Sequence, residues 1–332
     1  MAETMRAAIL EAYGAPFRLA IVPRPLPGPG QVLVRIAASG TNPLDTKIHA
    51  GTAAHAQHPL PAILGLDLAG TVEAVSPGET RFAAGDEVFG MTGGVGGHQG
   101  SLAEYAAVDA DLLAHKPSDL TMREASVLPL VFITAWEGLV DKMAVRAGQT
   151  VLVQGGAGGV GRMVVQLARA YGAEVFATGS PASRTPIELM GAHFIERSEP
   201  VEGYVARLTR GRGFDLVYDT AGGASLDASF AAVRRSGHVV SALGWGTHAL
   251  APLSFRAATY SGVFTLLPLL TGQGRAHHGE ILAHAKRLAE SGQLVPLLDP
   301  HAFTLPTVMD AYRLINDGSA RGKPAIDIEE QR

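Results

Sequence analysis

The segment Gln31-Val-Leu-Val-Arg-Ile36 alternates polar and apolar positions after a Pro/Gly-rich stretch from Pro23 to Gly30, the period-two pattern of a half-buried strand. Gly70-Thr-Val-Glu-Ala-Val75 alternates in the same way and turns at Ser76-Pro77-Gly78, while Gly85-Asp86-Glu87 leads into Val88-Phe89-Gly90. Residues 1–125 therefore read as a β-rich, barrel-like domain. From residue 126 apolar strands alternate with segments of helical period, the signature of βαβ units on a parallel sheet. The expected strands are Val151–Gln154, Glu174–Thr178, His193–Ile195, Phe214–Thr220, His238–Leu243 and Gly262–Leu266. The fold class is thus α/β, with a doubly wound domain over residues 126–270. Residues 271–332 hold one helical segment, Glu280–Ser291, and a mixed tail with too few elements for a core of its own, so a return to the first domain is expected.

Composition narrows the function. The 332 residues suffice for two domains, and 47% hydrophobic with 17% charged residues marks a globular chain. Twenty-seven basic against 31 acidic side chains leave a net charge of −4, which offers no footprint for nucleic acid or an anionic membrane. The chain has no cysteine, which removes disulfides, thiolate zinc sites, iron–sulfur clusters and cysteine nucleophiles. The first eleven residues carry acids on both sides of a short apolar stretch, unlike an export signal, and the longest apolar run, Gly262–Leu270, falls far short of the roughly 20 residues of a membrane helix. A cytoplasmic protein acting on a small molecule is expected.

The strongest local motif is Val151-Leu-Val-Gln-Gly-Gly156-Ala-Gly158-Gly159-Val160-Gly161, in which Gly156, Gly158 and Gly161 satisfy G-x-G-x-x-G directly after an apolar strand. Val160, Met163, Val164, Leu167, Ala168 and Tyr171 follow at helical spacing, so the turn opens a helix whose first amides can meet a pyrophosphate. Side chains at these glycines would hold the phosphates off the backbone or the helix off the sheet. No Asp or Glu lies between Val175 and Ile187 to hold a ribose 2′-hydroxyl; Ser180 and Arg184 instead offer a hydroxyl and a guanidinium suited to a 2′-phosphate, so NADP(H) is the expected cofactor.

Taken together, several segments resemble the medium-chain dehydrogenase/reductase superfamily in its zinc-free quinone oxidoreductase, zeta-crystallin-like branch. They are Gly40-Thr-Asn42-Pro43-Leu-Asp45, Gly65-Leu-Asp67-Leu-Ala-Gly70, Gly85-Asp86-Glu-Val-Phe-Gly90, Ala103-Glu-Tyr105, Leu128-Pro-Leu through Thr134-Ala135-Trp136, and the glycine turn. The resemblance covers nearly the whole chain and implies a GroES-like catalytic domain, a Rossmann NADP(H)-binding domain, a C-terminal return, and a homodimer joined through the last Rossmann strand, expected near Gly262–Leu266.

Zinc-dependent members of that superfamily place Cys where this chain has Asn42 and His where it has Leu66, and carry a four-cysteine lobe after the position of Gly90. An amide and a leucine cannot replace a thiolate and an imidazole around tetrahedral zinc. His277, Glu280 and His284 would share a helix face, which reads as a solvated surface. With no Lewis acid the substrate must spread the charge of an added hydride itself, which points to quinones or other conjugated carbonyls. The resemblance places Asn42 and position 47 beside nicotinamide and substrate; position 47 is Lys47 where many quinone oxidoreductases have Tyr. His98, in the glycine run Gly93–Gly100, is a further candidate donor on a loop expected to be mobile. The resemblance also implies Thr134 beside the nicotinamide, Leu243 and Gly244 at the carboxamide, Trp245 either lining the substrate pocket or in the core, and Arg197 near the adenine or the 2′-phosphate. The expected activity is NADPH-dependent, zinc-independent hydride transfer to quinones or related acceptors. An alkenal or enoyl reductase, or a nucleotide-binding protein without turnover, remains open.

Overall fold

Three consecutive residues, Val151, Leu152 and Val153, are wholly buried, as they must be in a strand covered on both faces. They belong to a six-stranded sheet in the computed structural model, which describes residues 3–329. The strands run parallel in the order His193–Glu196, Glu174–Gly179, Thr150–Gln154, Phe214–Asp219, Val233–Ser241 and Thr259–Gly262. Strand order reverses between Thr150–Gln154 and Phe214–Asp219, so the carboxyl ends of these two strands open a crevice at the switch point. One face packs Phe176, Ile195, Tyr204, Phe214 and Phe230 into a continuous core. The expected doubly wound parallel sheet is observed.

One expected strand is misplaced. Gly262–Leu266 is not the last strand; Thr259–Gly262 is, and it pairs on one side only, with Val233–Ser241. The apolar run beyond it buries Leu266 and Leu269 and leaves Phe264 and Leu267 exposed, with Leu267–Thr271 helical. This edge strand buries none of its residues, so Thr-Tyr-Ser-Gly carries no apolar signal. The later helix likewise begins earlier than its apolar spacing indicates, spanning Arg275–Glu290.

The chain divides into two compact units, one running to Leu130 and resuming at Leu266, the other spanning Val131–Thr265. The first is β-rich, as expected. Its larger sheet has seven strands, with Gln31–Gly40 paired antiparallel to both Asp67–Val75 and Tyr105–Asp109. The C-terminal strand Ala325–Asp327 adds to the far end of Gln31–Gly40, setting Ala325 opposite Gly40. A separate three-stranded sheet centres on Thr4–Leu10. No described helix is long and apolar enough to cross a membrane.

Candidate active site

In the Val131–Thr265 unit, the glycine turn joins the strand Thr150–Gln154 to the helix Gly159–Ala170, with Gly158 at the helix start. A Cβ on Gly161 would lie 2.1 Å from the carbonyl oxygen of Gly155, so helix and turn are pressed together as tightly as backbone permits. The first-turn amides of that helix lie outside its own hydrogen-bond ladder and can serve an anion. Beside them opens a cleft of about 560 Å³, lined at the switch point by Gln154, Gly155, Gly158, Thr220 and Ala221. Its outer end is formed by Ser180, Ser183, Arg197 and Glu199. A turn that a Cβ on Gly156 or Gly161 would jam, free amides and an open cleft fit an extended dinucleotide.

Supporting bonds hold the cleft open. Thr178 Oγ1 donates to Gln154 Oε1 at 2.8 Å and accepts from the Gly155 amide at 3.0 Å, tying adjacent strand ends together. Asp219, fully buried, accepts from the Gly222 amide at 3.0 Å and from Ser241 Oγ at 2.8 Å, which fixes the loop after its strand. Tyr204 lines the floor, and burial raises its phenol above the ordinary range, so it enters as a neutral group.

The expected cofactor residues separate into groups. Gly158, Ser180 and Arg197 line the cleft, whereas Gly156, Gly159, Val160 and Gly161 build the turn and first helical turn behind it. Arg184 does not line it: the guanidinium lies 4.3 Å over the Phe194 ring and pairs with Glu188 at 3.3 Å. Aromatic stacking and an i,i+4 partner both favour that placement. Glu199, which the acid-free stretch before it did not foretell, reaches the cleft, but Arg207 holds its carboxylate at 2.7 Å. Thr134 is buried with its hydroxyl 3.0 Å from that of Thr265, which donates to Glu137 at 2.8 Å. Leu243, Gly244 and Trp245 follow the strand Val233–Ser241, and the Leu243 amide donates to Ser241 Oγ at 3.0 Å. Trp245 is exposed, not part of the core.

In the other unit, Asn42 precedes the short helix Pro43–His49 and is completely buried. Its Oδ1 accepts from Lys323 Nζ at 2.6 Å and its Nδ2 donates to Asp67 Oδ2 at 3.0 Å. Lys323 Nζ also donates to Asp67 Oδ2 at 3.1 Å, and the other oxygen of Asp67 accepts the Leu130 amide at 3.0 Å. Asp45 accepts the Asn42 backbone amide at 2.8 Å, while its Oδ1 is buried without a partner. Burial, then the nearby negative charge of Asp67, raises the Asp45 carboxyl to about 7. Burial also raises Asp67, against the pull of Lys323. Neither Lys323 nor its two contacts was legible in the sequence, because they span 281 and 256 positions.

Lys47 lies on the same helix as Asp45 but on its exposed side. The glycine run Gly93–Gly100 is hydrogen-bonded and closely packed. The His98 amide donates to the Val95 carbonyl at 3.0 Å, the Gly97 amide to His58 Nδ1 at 3.2 Å, and a Cβ on Gly93 would lie 1.8 Å from the Gln99 carbonyl oxygen. These glycines permit close backbone approach. His98 Nε2 lies 3.0 Å from Arg275 Nη2 and 3.1 Å from the Leu269 carbonyl, and Arg275 also pairs with Asp109 at 2.9 Å. Leu66 is wholly buried, and no described group of three or more His, Asp or Glu side chains is placed to hold a metal ion.

Residues 28–118 match the alcohol dehydrogenase GroES-like domain, and residues 190–326 match a family described as zinc-binding dehydrogenase. The chain is 35% identical over 305 residues to 2-methylene-furan-3-one reductase of Solanum lycopersicum, covering 89% of this chain and 71% of that protein. It is 33% identical to the chloroplastic NADPH-dependent alkenal/one oxidoreductase of Arabidopsis thaliana, covering 89% and 72%. Among solved structures, an alcohol dehydrogenase superfamily protein from Novosphingobium aromaticivorans superposes with a TM-score of 0.97 at 59% identity, covering 98% of this chain and 100% of that one.

Proposed function

The chain belongs to the medium-chain dehydrogenase/reductase superfamily, and on that premise we propose that it is an NADPH-dependent, zinc-independent reductase of conjugated carbonyls, enones and alkenals ahead of quinones. The observation that carries this reading is the residue pair at the positions where relatives bind zinc: Asn42 spends its amide on Lys323 and Asp67, and Leu66 has no donor atom. Without a Lewis acid, hydride addition is favoured on a substrate that delocalises the charge and leaves less of it for hydrogen-bond donors to stabilise. Both curated relatives described above are named for reduction of enone-type compounds, which supports placing that class before quinones.

In this reading the first-turn amides of the helix Gly159–Ala170 face the pyrophosphate, and Ser180 with Arg197 holds the 2′-phosphate at the outer end of the cleft. Arg197 takes the role first given to Arg184. When bound, the reduced nicotinamide supplies the hydride. Thr134 and the backbone of Leu243 and Gly244 orient that end, and Asn42, Lys47 and His98 of the other unit are the residues proposed as catalytic. Two copies join through the unpaired edge Thr259–Gly262, whose Tyr260 is exposed. The protein acts in the cytoplasm.

Steady-state oxidation of NADPH and NADH against a panel of alkenals, enones and 1,4-quinones, with and without chelator, tests the reading. The expected outcome is chelator-insensitive turnover with NADPH, with the highest kcat/KM on enones and alkenals. Binding of NADPH without oxidation across the panel would replace it with a non-catalytic role.

A further inference from the structure

We propose that Lys323 is a positioning residue for Asn42: an ammonium delivered by the C-terminal segment decides which way the Asn42 amide points. The two ends of an asparagine amide are alike in shape and opposite in hydrogen-bonding character, so the surroundings choose the flip. Here the choice is unambiguous. Lys323 Nζ can only donate, and it lies 2.6 Å from Oδ1. Asp67 Oδ2, 3.0 Å from Nδ2, faces donors from Asn42 and Lys323, and its other oxygen faces the Leu130 amide. Three donors around one buried carboxyl favour its ionised, acceptor-only form.

The ammonium is itself held in place by backbone. The Lys323 amide donates to the Leu297 carbonyl at 2.8 Å, and the Lys323 carbonyl accepts from the Asp299 amide at 2.9 Å. Two residues later the chain joins the sheet, with the Thr41 amide donating to the Pro324 carbonyl at 3.0 Å and Ala325 facing Gly40. Residue 323 is thereby set beside residue 42 by strand pairing, not by a flexible side chain reaching across. Removing the ammonium leaves Oδ1 buried with no donor and removes what distinguishes the two flips. That Asn42 matters to turnover rests on the reading given under Proposed function; that Lys323 orients its amide does not.

The chain contains only two asparagines, Asn42 and Asn316, so labelling asparagine side chains with 15N yields two amide proton pairs, the second an internal control. In the full-length protein the Asn42 pair should be well separated and slow to exchange. In Lys323→Met the Asn42 pair should shift and lose its protection while the Asn316 pair stays put. Should Lys323→Met fail to fold, Lys323→Arg keeps the charge but changes the donor geometry, and it too should move the Asn42 pair alone. An Asn42 pair unmoved in the variant that folds overturns the proposal. Kinetics give a second readout. Lys323→Met should lower kcat roughly 10- to 100-fold with KM for NADPH held within about twofold, and Lys323→Met combined with Asn42→Ala should be no slower than Asn42→Ala alone. Losses that multiply in the double variant would overturn action through Asn42. A wild-type protein inactive on every acceptor would instead remove the functional reading and leave the resonance result standing.

Discussion

Asp45→Asn should stabilise the protein at neutral and alkaline pH and do nothing of the kind in acid. Asp45 is enclosed at the third position of the helix Pro43–His49, with one oxygen on the Asn42 amide and the other without a partner. Burial first, then repulsion from Asp67, moves its carboxyl from 3.8 to about 7, with Asn42 and Lys323 acting in the opposite direction. The buried Tyr312 on the facing helix Val308–Asn316 adds no charge, and its own ionisation is pushed further up. The sign follows from proton counting. Between about pH 4 and pH 7 the folded chain keeps a proton that the unfolded chain has released, so stability falls as pH rises through that window. At about 1.36 kcal/mol per unit, a displacement of roughly 3 units amounts to ~4 kcal/mol, complete above about pH 7. Asparagine reproduces the protonated carboxyl in shape and in neutrality. The difference in apparent Tm between Asp45→Asn and wild type, measured by scanning calorimetry from pH 5 to pH 8, should therefore grow with pH and reach up to about 8 °C. Parallel pH curves for the two proteins would refute the reasoning.

Arg197→Ala should weaken NADPH binding far more than NADH binding, while Arg184→Ala should change neither by more than about twofold, since its guanidinium is spent on Phe194 and Glu188. Titration of both coenzymes by nucleotide fluorescence checks this, and equal losses for the two coenzymes in Arg197→Ala would remove it from the 2′-phosphate. The Val263 amide donates inward to the Ser241 carbonyl at 3.0 Å, so the alternate amide at Gly262 faces the open edge; Gly262→Pro deletes that donor from Thr259–Gly262 and should shift the protein from dimer to monomer in sedimentation at micromolar concentration. A dimer that persists would place the interface elsewhere.

What could be read in the chain was what neighbours in sequence decide. The glycine turn was legible because an apolar strand, three spaced glycines and a helical period follow one another within about twenty positions, and the sheet because its central strands are largely apolar. Arg184 and Arg197 show where this ends. Both are cations after the second strand of the sheet, and only the Phe194 ring and the course of the chain past Glu196 decide which one meets the cleft. The run Gly93–Gly100 is another case: composition shows only that the backbone is unencumbered, and the Gln99 carbonyl that approaches Gly93 comes from the folded loop. Asn42 stood out as a substitute for a metal ligand, but its partners did not, because strand pairing across the whole chain brings Lys323 to it.

The way the first unit is closed has a consequence for synthesis on the ribosome. Val131–Thr265 is a continuous stretch and has all its strands once its own residues have emerged. The β-rich unit does not: the far end of Gln31–Gly40 gains its neighbour, and the buried carboxyl of Asp67 its counter-ion, only when Lys323 and Ala325–Asp327 have been made. The β-rich segment made before the Val131–Thr265 unit is thus completed after it, and until then it carries an open sheet edge and an acid without its counter-ion.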